Sequence, residues 1–223
     1  MELQELQTIW AEYDRKLDRN LHLNMQLLRQ IKLDKAGSKL SSLFYYKITE
    51  MIILAAAVIY LGSFVSDNWG KPQFSLSAIA ICALFVVCFV YDVKQLSLIR
   101  QVQRGFNAAI APLQKKIEQL KLSIVTCVKC ALILLPLYPL LLLLAGKMVF
   151  NVDFLEPARR TYFLSNAAVA IILIPLAVWL IAKLSAKNIN NSVAKTLLMG
   201  SGWYQANAAY RFLGEIEKFE QEA

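Results

Sequence analysis

The sequence predicts an all-α membrane protein: a four-helix transmembrane bundle with long amphipathic cytoplasmic helices. Three observations predict it. Four long apolar stretches lie between Met51 and Ala182, lysine and arginine are spread unevenly around them, and the segments between carry apolar residues spaced alternately by three and four. The chain has 223 residues, is 57% apolar and has a mean hydropathy of +0.46, which excludes an ordinary soluble domain.

Residues 1–40 form the first segment, a cytoplasmic amphipathic helix. Leu3, Leu6, Trp10, Tyr13, Leu17, Asn20, Asn24, Leu27 and Ile31 follow one seam over the first 33 residues, with two asparagines in its middle. Such a seam serves a coiled coil, where polar residues fix register, or a helix packed on its own protein. The run Asp34-Lys-Ala-Gly-Ser-Lys-Leu-Ser41 is expected to break the helix before the membrane.

Residues 41–92 make the first transmembrane hairpin. Its apolar stretches are 51–66, extended by Ile48 and Thr49, and 74–91. A helix rises about 1.5 Å per residue and the hydrocarbon layer is roughly 30 Å thick, so ~17 to 20 residues cross it. The charged first 40 residues lack a cleavable leader's pattern, so the first span is expected to be an uncleaved signal anchor.

Residues 93–123 form a helical stalk. Leu96, Ile99, Gln103, Phe106, Ile110, Leu113, Ile117, Leu120 and Ile124 repeat the spacing. Both ends must return to the bilayer. The segment therefore lies flat on the surface or, as favoured here, folds into a hairpin reversing between Gly105 and Pro112, with Gly105 as cap and Pro112 as a first helical residue.

Residues 124–184 form the second transmembrane hairpin, with apolar stretches 124–146 and 162–182. Nine leucines between Ala131 and Gly146 outweigh the cost of Lys129, which lies near the helix end and can snorkel. Pro136 and Pro175 sit near the middle of these spans and read as structural kinks, although paired broken helices also occur in transporters. In residues 185–223, span four is expected to continue through Ile189, Val193 and Leu197 as far as Gly200-Ser-Gly202. A last helix then carries Phe212, Leu213, Ile216 and Phe219 on one side. The cytoplasmic segments together suffice for a helical bundle of about 110 to 120 residues.

Orientation follows from the 24 basic residues: twenty lie in the two tails and the central segment, and four around the other two loops. Both termini are therefore expected to be cytoplasmic, in the plasma (inner) membrane. Phe44, Tyr45, Tyr46, Trp69, Phe150, Phe154, Tyr162 and Phe163 mark the interfaces. The net charge of +8 is explained by this asymmetry and by anionic lipid, so no nucleic-acid partner is expected.

Catalytic chemistry is sparsely represented. His22, the single histidine, reads as a solvated helix residue, and no phosphate loop, zinc-protease motif or nucleophile elbow occurs. Cys127-Val-Lys-Cys130 places two thiols on one helix face beside Lys129, a pattern compatible with redox chemistry or half a metal site. Buried small residues are the better reading; Cys82 and Cys88 lie inside span two, and the four cysteines are not expected to form a disulfide framework. Glu50, Asp92, Lys129, Lys147 and Lys183 all fall near interfaces, and Ser77, Cys82, Ser165 and Asn166 are the polar residues deeper in, which argues against a coupled transporter. No catalytic, cofactor-binding or metal-binding residue is assigned, and no cofactor is expected.

Leu3-Gln-Glu-Leu6, Ile9-Trp10, Tyr13-Asp14, Pro136-Leu-Tyr-Pro139 and Leu213-Gly-Glu-Ile-Glu-Lys-Phe-Glu220 resemble an uncharacterised family of bacterial four-span membrane proteins. The resemblance covers most of the chain, rests on packing residues and implies a bacterial inner membrane without an activity. The expected function is that of a non-enzymatic membrane protein presenting a cytoplasmic helical surface for self-association or for a cytoplasmic partner. The alternatives are a membrane-tethered regulator that sequesters a transcription or signalling factor, as an anti-sigma factor does, and a small-solute transporter or channel.

Overall fold

The computed structural model describes residues 2–106, 109–151, 155–184 and 192–222. Among them are seven helices and no strand: α1 (Glu2–Asp67), α2 (Pro72–Arg104), α3 (Ile110–Leu132), α4 (Tyr138–Phe150), α5 (Leu155–Lys183), α6 (Ser192–Leu198) and α7 (Trp203–Glu222). Three helices, α1, α2 and α5, contain stretches long and apolar enough to cross a membrane.

Helix α1 runs unbroken for 66 residues, a length of about 100 Å at 1.5 Å per residue. The break expected at Asp34–Ser41 does not occur. A glycine inside a helix costs about 1 kcal/mol relative to alanine. Burying Ala36, Leu40 and Leu43 completely in the main core outweighs this, since each leucine contributes roughly 1.5–3 kcal/mol. Gly37 also has a packing role, because a Cβ there would lie 3.1 Å from Cε2 of Phe106.

Helices α2 and α3 form an antiparallel hairpin. Helix α2 starts on Pro72, whose missing N–H costs nothing at a first helical position, and ends at the Gly105 cap. Its return partner starts at Ile110, so Pro112 is the third helical residue, still within the turn where N–H groups lack intrahelical acceptors. Ile110, Leu113, Ile117, Leu120 and Ile124 are all buried, as their spacing predicts. The α2 side of that seam shifts. Leu98, Ile99 and Val102 are buried while Leu96, Gln103 and Phe106 are half-buried, because reversal between the helices ends any single continuous face.

Helix α7 closes this bundle with Trp203, Ala206, Ala209, Leu213 and Ile216. Of the face expected here, Leu213 and Ile216 are buried, Phe212 packs at the edge and Phe219 is exposed. The turn before α7 depends on glycine. Gly200 and Gly202 have φ of 83° and 86°, and a Cβ on Gly202 would sit 2.1 Å from Cδ1 of the buried Leu43. Val193 and Leu197 belong to the short α6, whereas Ile189 lies outside the described residues.

The third apolar stretch is not one helix. Pro136 and Pro139 remove two N–H donors and crowd the carbonyls four residues back. Helix α3 therefore ends at Leu132, and tight turns replace its ladder, Ile133 N–H donating to Cys130 and Leu134 N–H to Ala131. The chain resumes as the 13-residue α4. A lone Pro175 leaves α5 continuous. Leu144 of α4 packs with Leu61, Ala78 and Ile81, and Leu143 with Phe74, joining α4 to α1 and α2. The Tyr162 hydroxyl of α5 donates to the Pro139 carbonyl at 2.5 Å.

Candidate functional site

Two features stand out from this scaffold. The first is a polar layer between the apolar half of the molecule and the bundle. Lys47 on α1 is 2% exposed and Asp92 on α2 is 0% exposed, and the Lys47 ammonium donates to Asp92 Oδ1 at 3.0 Å and to Glu50 Oε2 at 2.5 Å. A buried cation is tolerated only when it is paired and hydrogen-bonded, and Lys47 meets both conditions. Asp92 Oδ2, both amide atoms of Gln95 and Ser123 Oγ have no partner among the described residues. Counted back from the α2–α3 turn, Asp92 and Ser123 stand at one level. Cys88 and Cys127, one turn further on, lie within hydrogen-bonding reach of each other.

This layer contains the thiol motif singled out in the sequence but arranges it differently. Cys127 is buried facing Cys88 of α2, and Cys130 is half-buried, so the intimate pair crosses between helices instead of following Cys-x-x-Cys. Among the described residues no three histidine, cysteine, aspartate or glutamate side chains converge to hold a metal. The side chain of His22 is outside the described set. Ser77 donates to the Gln73 carbonyl, and Ser165 and Asn166 both donate to the Tyr162 carbonyl, so each is satisfied within its own helix.

A clasp on the outer bundle fixes α1 and α3 to α7. Lys121 donates to Asn207 Oδ1 at 2.8 Å and stands 5.1 and 4.8 Å from the ring centres of Trp203 and Tyr210. Burial pushes its ammonium pKa down, while the ring faces attract the cation. The Tyr210 hydroxyl donates to Glu118 at 3.0 Å, a bond that raises the phenol's pKa. Lys32 on α1 pairs with Glu215 on α7, holding the Glu215 carboxyl below its ordinary range.

The second feature is the free arm of α1. Trp10, Tyr13 and Leu17 are 67%, 70% and 64% exposed, and Leu21, Leu23, Leu27 and Ile31 are exposed as well. Of the two readings open for this seam, packing on its own protein does not hold at Trp10, Tyr13, Leu17, Leu27 and Ile31. Helix α1 meets its own bundle by another face, through Lys32, Leu33, Ala36, Leu40 and Leu43. Sequence spacing found the seam but not the polar layer, because Lys47 and Asp92 stand 45 residues apart with no local pattern linking them. Comparison with family models, curated proteins and solved structures gave no match for this chain.

Proposed function

We propose that the chain is a non-enzymatic multi-pass protein of the bacterial inner membrane that presents a cytoplasmic helical surface for self-association or partner binding. The observation that carries this reading is the uncovered apolar face of α1 from Trp10 to Ile31, beside a bundle in which the heptad face of α3 is buried. Contiguous exposed apolar surface on a helix costs solubility unless something covers it. Twenty basic residues in the tails and the central segment favour the cytoplasmic side for the bundle and the arm. In this reading the spans anchor the bundle, the Lys47–Asp92 layer joins the two parts, and the arm is the working surface.

Deleting residues 1–31 tests the proposal, since the bundle contacts of α1 begin near Lys32. In mild detergent the full chain is expected to run as an assembly larger than one chain, and the deletion variant as a single chain that still unfolds cooperatively. Equal single-chain masses for both, extracted from native membranes with no other protein bound, would sink the reading.

A further inference from the structure

We propose that the occupant of the open α1 face is the same face of a second copy, paired in parallel and in register. This rests on the docking reading above and names its partner.

Geometry fixes the direction of approach. Helix α1 is uninterrupted from Glu2 to Asp67 and contains the first candidate span, so the arm continues the helix that enters the bilayer. Two copies in one membrane therefore bring their arms together pointing the same way.

The seam then specifies the pairing. With Leu3 as an a position, Trp10, Leu17, Asn24 and Ile31 are also a, and Leu6, Tyr13, Asn20 and Leu27 are d. Four heptads is the length at which such a pattern specifies a coiled coil. In register, each Asn24 meets the other copy's Asn24 and each Asn20 its own counterpart, so amide pairs with amide. A partner with an apolar seam would leave those amides unsatisfied. An asparagine at one a position is a device that selects two parallel strands and one register.

Charge agrees. At the flanking e and g positions from Ile9 to Leu28, the charged residues are Asp14 and Lys16. In parallel register Asp14 faces Ile9 and Lys16 faces Leu21, so no like charges meet. The seam is also sterically open, because Lys32, Leu33 and Ala36, which turn toward α1's own bundle, hold b, c and f positions on the opposite side. Pairing leaves the bundle in place.

The test uses the full-length protein in native membranes, with single substitutions Leu17→Cys at an a position and Arg15→Cys at an f position. Under mild oxidation Leu17→Cys is expected to give several-fold more disulfide-linked dimer than Arg15→Cys, which also reports any background from the native cysteines. Copies with Leu17→Cys should not link to copies with Ile31→Cys, which lie roughly 20 Å further along the helix. Equal yields at Leu17 and Arg15, or efficient Leu17 to Ile31 linkage, would overturn the parallel seam. Benzophenone maleimide on Leu17→Cys separates the two levels of failure. An adduct with a different protein in place of the dimer overturns self-pairing and leaves docking standing, and no adduct from a chain of monomeric mass ends both.

Discussion

Lys47 and Asp92 form a buried ion pair in a molecule whose remaining core is almost wholly apolar. Removing one member of such a pair typically costs about 3–5 kcal/mol, because the other is left charged and buried, whereas replacing both by apolar residues of similar size is often neutral or stabilising. Glu50 remains within 2.5 Å of the Lys47 ammonium, so the lower end applies to Asp92. Asp92→Ala is expected to lose about 3 kcal/mol, seen as a lower thermal midpoint in detergent, and Lys47→Met combined with Asp92→Leu to recover most of that loss. A double variant no better than Asp92→Ala alone would mean that the layer itself, with Gln95 and Ser123, is needed for the fold. Nothing local in the sequence announces this pair: Asp92 looks like the last polar residue of a span, and Lys47 like one more basic residue before another.

At the scale of elements, legibility followed side-chain size and sequence distance. The α3 face was readable because isoleucine and leucine occupy every position of its seam, from Ile110 to Ile124. Half of the α7 face was not, since Ala206 and Ala209 are fully buried yet carry little hydrophobic signal. Gly37 and its neighbours read as a breaker because propensity is local, and the Phe106 ring that rewards a glycine there arrives from another helix. The docking of α1 on α7 has a pH signature. The Glu215 carboxyl sits below its ordinary value because of Lys32, so its stabilising effect is complete above about 4.5, the ordinary glutamate value, and fades as pH falls through the lower folded value. The pair is partly exposed, at 22% and 36%, so the effect is at most about 1 kcal/mol after solvent screening. Acidification from pH 7 to pH 3 is expected to destabilise the wild type slightly more than Glu215→Gln, read from paired denaturant titrations. Equal acid sensitivity would show that the contact contributes nothing.

For the whole molecule, the proposed topology rests on parity as much as on charge. The bundle gathers the middle of α1, the ends of α2 and α3 that meet at their turn, and α7, so all these pieces lie on one side of any bilayer that crosses the chain elsewhere. In the proposed topology α1 leaves that side and α2 returns to it. Between α3 and α7 the number of crossings must then be even, yet among the described residues only α5 there is a long apolar helix. The broken segment of α3 and α4 has to supply the other crossing, or α5 does not cross either. Its prolines permit this, because a break is tolerated at membrane depth when neighbouring chain surrounds it, and the Tyr162 hydroxyl bonded to the Pro139 carbonyl is one such contact. Exposed positions at the ends decide the matter. With a membrane-impermeant maleimide on intact cells, Trp69→Cys in the turn between α1 and α2 and Phe150→Cys at the end of α4, both strongly exposed, are expected to label, and Tyr13→Cys only after permeabilisation. Labelling of Trp69→Cys without Phe150→Cys would reduce the protein to one transmembrane hairpin, with α4 and α5 held on the inner side.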